Sequence, residues 1–409
     1  MPKRNLLVAM TFLLVFGALG VVQARLQRAA ALQGGTVRAP MFEVDPLWPK
    51  PLPNHWLLGS TIGVFVDPQD NVWIIHRSSA TLNNNERGAE LKRPTGECCA
   101  GAPPVLAFNA GGDLLRSWGG PGQGFEWPES NHGIAIDQNG NVWIGGNGAG
   151  DSHILKFTQD GKFLAQYGKQ NAHKGPANAE GLSTYPGDSN DPNNFGRVAK
   201  VTIDGRANEA YVADGYLNKR VAVLDVDSGK MKRYWGAYGH RPDDKDLGPY
   251  DPAAPPAQQF RNPVHCAELS NDGLLYVCDR ANDRIQVFKK DGTYVKEMVV
   301  KKNTLGDGST FDIAFSKDPQ QKYIYVADGS NMKIHILERE SLQVLTTFGD
   351  GGRQPGSFYA VHSIATDSKG NIFTTETYRG QRVQKFDYKG LAAVPKMDQG
   401  VVWPMSAKK

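Results

Sequence analysis

A sixfold internal repeat limits what this 409-residue chain can fold into more strongly than any other feature. Each unit has a short apolar strand, a turn rich in Asp, Asn and Gly, a second strand with an aromatic residue near its middle, and two further strands. A stacked solenoid would need a parallel strand or a helix in each unit, and the sequence has no helical periodicity. Four antiparallel strands repeated six times predict an all-β fold, a six-bladed β-propeller.

The repeats, which resemble NHL repeats, also set the expected boundaries of the propeller. The sixth unit lacks a clear fourth strand, so we expect the stretch around 41–44 to complete it and close the ring. The propeller is then predicted at 55–395, between an N-terminal segment at 25–54 and a C-terminal tail at 396–409. The second strands occupy 71–77, 141–147, 209–216, 274–280, 323–329 and 371–377.

Residues 1–24 are typical of a signal peptide. Lys3 and Arg4 precede an apolar run at 6–22, and Val22-Gln23-Ala24 resembles a small-residue cleavage site. An uncleaved anchor is the alternative, because the run is nearly long enough to span a bilayer. In either case we predict export to the periplasm or the extracellular space. The net charge of +4 comes without a basic cluster, so we expect no contact with nucleic acid. We also expect a monomer, with no membrane contact beyond such an anchor.

Export permits disulfides, and the chain has four cysteines. Cys266 and Cys278 fall on consecutive strands joined by a short Ser-Asn-Asp-Gly turn, which predicts a cross-strand bridge. The adjacent Cys98 and Cys99 either form a vicinal disulfide or remain two free thiols in a loop, and the sequence leaves both possibilities open.

The aligned first strands contain a column of three histidines. These strands begin at 62, 132, 199, 265, 311 and 362, and the opening position is histidine in every second repeat. First strands line the channel of a propeller, and alternate blades of six lie about 120° apart, so the three imidazoles should converge at one height. The column consists of Ile62, His132, Ala199, His265, Phe311 and His362.

Three neutral imidazoles with an open fourth position are the ligand set of a catalytic zinc ion. We therefore predict a Zn2+ site formed by His132, His265 and His362 at one mouth of the channel. In the alternative interpretation, each histidine ends its strand and hydrogen-bonds a neighbouring loop. One histidine alone would favour that alternative, whereas three in alternating register favour the metal.

The loops that follow the second strands open at the same mouth, because each second strand runs back towards the start of the first. Arg77 and Arg280 occupy one equivalent position there, and Tyr216 lies one residue further along in repeat three. Long polar connections at 78–103, 169–198 and 237–263 are typical of lids or binding loops. The two arginines and the tyrosine, as candidate catalytic residues beside a metal, suit a small carboxylate-bearing or peptide substrate. The alternatives are ion pairing between blades for the arginines and loop packing for Tyr216.

These residues resemble motifs of a known family. His-Gly-Ile-Ala-Ile-Asp from 132, Pro-Val-His at 263–265 and His-Ser-Ile from 362 are similar to the zinc-binding motifs of peptidyl-α-hydroxyglycine α-amidating lyase. The motif that ends at Tyr216 is similar to the one with that family's active-site tyrosine, and those ending at Arg77 and Arg280 resemble the ones with its arginines. The similarity covers about 55–390. It implies a zinc-dependent carbon–nitrogen lyase that cleaves a hydroxyglycine-type substrate at N–Cα into an amide and glyoxylate, with Tyr216 as acid or base.

The chain also departs from that family. It has Ala360 where the family has methionine, and Leu217 where the family has a cysteine after the tyrosine. Ser363 stands where the family has an aspartate that binds calcium, which argues against a Ca2+ ion. Two further functions stay open: a non-catalytic NHL propeller that binds a peptide, a glycan or a protein at this mouth, and a propeller lactonase or hydrolase. The latter needs acidic and amide ligands in the channel, which Glu268 and Glu376 alone do not provide.

Overall fold

The computed structural model describes residues 35–174 and 187–404. Within these residues the chain forms six four-stranded antiparallel sheets that are the blades of a propeller, which confirms the predicted fold class. The predicted signal peptide at 1–24 and part of the 169–198 connection lie outside the described residues. Blade 1 consists of Thr61–Val66, Val72–His76, Val105–Phe108 and Leu114–Trp118; blade 2 of Asn131–Ile136, Val142–Gly146, His153–Phe157 and Phe163–Gly168; blade 3 of Val198–Asp204, Glu209–Asp214, Arg220–Asp225 and Met231–Trp235.

The second half of the ring repeats this arrangement, and a few short elements decorate it. Blade 4 consists of Val264–Leu269, Leu274–Asp279, Arg284–Lys289 and Tyr294–Val299; blade 5 of Asp312–Phe315, Tyr323–Asp328, Lys333–Glu338 and Val344–Phe348; blade 6 of Val361–Thr366, Ile372–Glu376, Arg382–Pro395 and Thr36–Asp45. The short elements are a parallel pair, Trp56–Leu57 with Ala100–Gly101, and the 3-10 helices Ser78–Thr81, Ala237–Gly239 and Arg280–Asn282.

Blade 6 closes the ring with both ends of the described chain. Its outermost strand, Thr36–Asp45, pairs antiparallel with Arg382–Pro395, which confirms the prediction that the stretch around 41–44 completes this blade. The segment after the last strand packs back on the same strand, because Val44 N–H donates to the Val402 carbonyl at 2.7 Å and Val402 is buried. Hydrogen bonds between N-terminal and C-terminal segments therefore fasten the ring.

A repeated aspartate explains the turn between the first and second strands. Asp67 accepts hydrogen bonds from the Asn71 backbone N–H and from the Trp73 indole N–H, both at 2.9 Å. Asp137 in blade 2 and Asp367 in blade 6 hold the equivalent turns. Such side-chain-to-backbone bonds stabilise a tight turn locally, which accounts for the Asp and Asn signature of the repeat.

The core lies between the blades. Six clusters of buried apolar side chains occupy the interfaces of neighbouring blades, including the one between blades 1 and 6. Because each blade is covered on both faces, both alternating sets of side chains are apolar, and the inner strands read as continuous hydrophobic runs. Each fully buried side chain such as Phe108 or Ile144 contributes about 1.5–3 kcal/mol of transfer free energy.

The four cysteines form two disulfides. Cys266 and Cys278 are bonded with their α-carbons 4.8 Å apart, which confirms the predicted bridge. Cys98 is bonded to Cys99, the vicinal alternative of the two that the sequence left open. Disulfides persist in oxidising environments, so both bonds indicate such a compartment. Across 35–174 and 187–404, no helix has the length and the apolar character that crossing a membrane requires.

Candidate metal site at the channel mouth

A β-bulge turns each histidine of the column out of its sheet. The ladder between the first and second strands shifts register at His265 in blade 4 and at His362 in blade 6. In blade 2 the shift spans His132 and the residue after it. The same shift occurs at Ile62 and Ala199, so the bulge is not specific to histidine. Bulges release a residue from the ladder and re-aim its side chain, often beside functional sites.

The three imidazoles meet in the channel. The ring centroids of His132 and His265 lie 4.8 Å from that of His362 and 5.1 Å from each other. One ligand nitrogen from each ring lies within 4.8 Å of the other two, and the side chains are only 2–4% exposed. The cavity that they line has a volume of about 10 Å³, which is room for one water-sized species. The structure thus brings together the three histidines as their register predicts, and this donor set can hold a metal ion.

The column residue of the next blade orients each histidine. Every imidazole Nδ1 lies at hydrogen-bond distance from the backbone carbonyl of that neighbour. A carbonyl can only accept, so Nδ1 carries the proton and Nε2 presents a lone pair to the channel. Outer partners of this kind fix the tautomer of metal-binding histidines. The pairs are His132 with Ala199 at 2.7 Å, His362 with Ile62 at 2.8 Å, and His265 with Phe311.

Burial keeps the imidazoles neutral. It lowers the pKa of His362 to about 3 and the pKa values of His132 and His265 well below 6.5. Positive charge nearby acts in the same direction, chiefly Arg280 on His265 and, after His362, Arg77 on His132. Neutral imidazole is the form that binds metal ions, so no proton has to be removed before a metal enters.

Tyr216 places one hydroxyl among these nitrogens. Its oxygen lies 2.9 Å from His132 Nε2 and 3.0 Å from His265 Nε2, and Arg280 Nη1 donates to it at 3.1 Å. The hydroxyl has one hydrogen and can satisfy only one of the two lone pairs. Within the described parts of the chain, His362 Nε2 has no hydrogen-bond partner. Three Nε2 lone pairs therefore converge, and only one hydrogen is available to them. A cation bound between the three nitrogens would satisfy all of the lone pairs.

The two predicted arginines lie at the rim of this pocket. Arg280 is buried, its guanidinium stacks 4.6 Å from the ring centroid of Phe311, and its Nη2 lies 3.5 Å from an Asp307 oxygen. Arg77 Nη2 donates to Asn147 Oδ1 at 2.9 Å. The Nε atoms of both arginines are buried, and neither has a hydrogen-bond partner among the described residues. The guanidiniums are therefore fixed in place with donors left over, as an anion-binding site requires.

Two rim residues were not identified from the sequence. Tyr378 lies two residues past the second strand of blade 6, as Tyr216 does in blade 3, and it donates to Asp307 Oδ2 at 2.8 Å. Burial and this hydrogen bond raise the pKa of Tyr378 to about 12. The repeat alignment could have identified Tyr378, because Tyr216 and Tyr378 occupy the same position in their repeats. Asp307 lies in an irregular loop, where no periodicity could indicate it.

The long connections lie around this mouth. In the 78–103 connection, the Thr81 carbonyl accepts a hydrogen bond from Gln381, which follows Tyr378 closely in blade 6. In the 237–263 connection, Asn262 Nδ2 donates at 2.8 Å to the Gly215 carbonyl, next to Tyr216. Both loops thus pack on the segments that carry the rim tyrosines, on the face where the sequence predicts them.

The chain has distant sequence relatives among known proteins. The chain is 28% identical over 243 residues to peptidyl-glycine alpha-amidating monooxygenase from Mus musculus, which covers 58% of this chain and 22% of that protein. It is 25% identical over 347 residues to peptidyl-glycine alpha-amidating monooxygenase B from Xenopus laevis, which covers 82% and 34%. The chain therefore spans 34% or less of the length of these two relatives. NHL repeat-containing protein 3 from Mus musculus is 24% identical over 315 residues, covering 75% of this chain and 70% of that protein.

Solved structures and family models add the following. The streptogramin B lyase structure aligns with a TM-score of 0.48 and 12% identity, covering 87% of this chain and 98% of that one. A virginiamycin B lyase from Staphylococcus aureus aligns with a TM-score of 0.47 and 14% identity, covering 87% and 88%. No protein-family model matches the chain. The chain is thus a six-bladed β-propeller with distant sequence similarity to amidating monooxygenases and to an NHL-repeat protein.

Proposed function

We propose that this protein is an exported zinc-dependent lyase that cleaves the N–Cα bond of an α-hydroxyglycine-type substrate and releases an amide and glyoxylate. One observation carries the proposal: the Tyr216 hydroxyl lies within hydrogen-bond distance of His132 Nε2, His265 Nε2 and Arg280 Nη1 in a single buried pocket. A metal-binding set, an ionisable hydroxyl and a guanidinium are the groups that this reaction needs. The sequence similarity to amidating monooxygenases supports the reaction class.

The donor set fits zinc. His132, His265 and His362 offer three neutral Nε2 atoms, each held by a backbone carbonyl behind it, and three histidines with an open position are a common catalytic zinc site. A bound zinc ion would act as a Lewis acid towards the substrate hydroxyl and make its proton easier to remove.

In this proposal the two arginines bind the substrate carboxylate. Arg280 presents its guanidinium beside Tyr216, and its charge already acts on His265. Arg77 lies on the other side of the pocket, where its charge acts on His132 and Tyr216. Guanidinium groups bind carboxylates through paired N–H donors, so the two arginines would fix the glyoxylate end of the substrate.

In this proposal Tyr216 transfers the proton. In the reaction, the substrate hydroxyl loses a proton and its C–O bond becomes the aldehyde C=O of glyoxylate. The N–Cα bond breaks, its electron pair stays on nitrogen, and nitrogen takes up one proton to give the primary amide. One proton therefore passes from oxygen to nitrogen, and a residue that first accepts and then donates it suffices. Arg280, which donates to the same hydroxyl oxygen, would compensate negative charge there while the proton is away.

The test is an assay of both products. Zinc-loaded protein is incubated with an N-acyl-α-hydroxyglycine, glyoxylate is trapped as a hydrazone, and the amide is quantified. We expect the two products in equal amounts and none from a His265→Ala variant. If zinc binds but no glyoxylate forms, the substrate assignment is wrong and the metal site stands. If neither zinc nor glyoxylate is found, the protein is a non-catalytic binding propeller.

A further inference from the structure

A second charged group lies next to the histidines in the channel. Lys200 follows the column residue of blade 3, and its Nζ lies 2.8 Å from both carboxylate oxygens of Asp312 in blade 5. The same nitrogen lies 2.8 Å from Glu268 Oε1 in blade 4. Ser363 in blade 6 donates to Asp312 Oδ2 at 2.6 Å. Lys200, Asp312 and Ser363 line the small cavity that the three histidines also line.

This cluster forms the floor of the histidine pocket. On its far side Lys200 and Glu268 line a second channel cavity of about 280 Å³. Further donors hold the carboxylates, since the Ile364 backbone N–H donates to Asp312 at 3.1 Å and Thr202 donates to Glu268 at 3.0 Å. First strands of four different blades therefore meet at this one group of charges.

The two carboxylates keep the lysine charged. Burial by itself lowers the pKa of Lys200, but the carboxylates of Asp312 and Glu268 outweigh it and raise that pKa above its usual value. Removing one member of a buried ion pair leaves an uncompensated charge, which strongly destabilises the fold. The ammonium group is therefore the counter-charge that allows two carboxylates to lie inside the channel.

The residues do not fit the calcium ion that the resemblance to amidating lyases implies. Calcium takes about six to eight oxygen ligands, most of them carboxylate, carbonyl or water oxygens. Here both Asp312 oxygens and Glu268 Oε1 already bind the lysine ammonium. Ser363 stands at the position of the family's calcium-binding aspartate, and its hydroxyl is a donor to Asp312 instead of a negatively charged ligand.

We propose that the Lys200 ammonium is the resident cation of the channel and takes the structural place of a divalent ion. It joins the first strands of blades 3, 4 and 5 directly, and it reaches blade 6 through the Asp312–Ser363 hydrogen bond. The propeller is then independent of calcium. This proposal concerns the stability of the fold and does not depend on the lyase activity.

The first test uses the wild-type protein saturated with zinc. After dialysis against calcium-free buffer, its calcium content is measured by mass spectrometry, and Tm is measured with and without millimolar CaCl2. We expect much less than one calcium per chain and no change in Tm. One retained calcium per chain, or a Tm that rises with calcium, would overturn the proposal.

The second test removes the positive charge of Lys200 and adds a carboxylate at position 363. Lys200→Met combined with Ser363→Asp leaves three carboxylates without a cation, so we expect a lower Tm that millimolar CaCl2 raises by several degrees. Lys156→Met is the matched control, because Lys156 lies on the third strand of blade 2, outside this cluster, and its Nζ is 3.0 Å from the buried Asp137 carboxylate. It should lower Tm without any response to calcium. A double variant that does not respond to calcium, or a Lys200→Met variant as stable as the wild type, would refute the assignment.

Discussion

Replacing Tyr216 with phenylalanine separates a catalytic role of its hydroxyl from a structural one. The change removes one oxygen and keeps the ring, whose centroid lies 4.9 Å from that of His132 and 5.5 Å from the Arg280 guanidinium carbon. The oxygen that is lost contacts two imidazoles and one guanidinium. In zinc-loaded protein the imidazole nitrogens would bind the metal, so the substitution would remove only the hydrogen bond from Arg280.

The two roles differ in magnitude. Loss of a single hydrogen bond changes the free energy of unfolding by about 0.5–1.5 kcal/mol. Loss of a group that transfers a proton lowers kcat by about 10²–10⁴-fold, which corresponds to about 3–5 kcal/mol in the activation free energy. We therefore expect Tyr216→Phe to retain zinc, to unfold at nearly the wild-type Tm, and to lose at least two orders of magnitude in kcat, roughly the lower end of that range.

The assay is glyoxylate release under saturating substrate, with zinc content and Tm measured on the same preparation. Tyr378→Phe is the matched control, because Tyr378 has the same register in blade 6 and its hydroxyl contacts Asp307 rather than a histidine. A lost rim hydrogen bond should change kcat by less than about tenfold. A Tyr216→Phe enzyme that keeps zinc and stays within tenfold of wild-type kcat would refute the proton-transfer role.

Three other perturbations test the account. Arg280→Ala should lower kcat/KM on the order of a hundredfold, about 3 kcal/mol, because the substrate carboxylate loses its buried partner; unchanged glyoxylate kinetics would contradict this. In metal-free protein the free energy of unfolding should fall as pH drops from about 6.5 towards 3, because the unfolded chain then binds protons on histidines that burial keeps neutral, with the pKa of His362 at about 3. Urea unfolding at several pH values measures this, His362→Gln should reduce the slope, and a flat profile would be evidence against neutral imidazoles. Replacing Cys266 and Cys278 together by alanine should lower the free energy of unfolding by about 2–4 kcal/mol, and an unchanged Tm would show that the bridge does not stabilise the fold.

The fold could be predicted because the same pattern of strands and turns occurs six times in the sequence. The aromatic second strands and the Asp-containing turns fix the blade, and the missing fourth strand of the last unit indicated that 41–44 closes the ring. Cys266 and Cys278 could be paired because their strands are neighbours joined by a short turn. All of these features are local in sequence, or become local once the repeats are aligned.

The site was only partly accessible from the sequence. Histidines in alternating register imply their own convergence, but the backbone carbonyls that orient them carry no side-chain signal. The floor of the pocket depends on the relative heights of different blades. Lys200, Asp312 and Ser363 share one position, directly after the column, yet nothing in the alignment indicates that Lys200 reaches across to blades 4 and 5. The hydrogen bonds of this cluster join residues 51 to 112 positions apart, and they follow only from the closed ring.

Zinc stoichiometry of the wild-type protein and of its histidine variants tests the central claim most directly. We predict one zinc per chain after dialysis of the wild type. We predict a sharp loss of zinc in His132→Ala, His265→Ala and His362→Ala, because two imidazoles do not retain zinc in dilute solution. His240→Ala, which removes an exposed histidine, should keep full occupancy. A wild-type protein that purifies without metal and cannot be reconstituted with zinc, or column variants that keep it, would contradict the account.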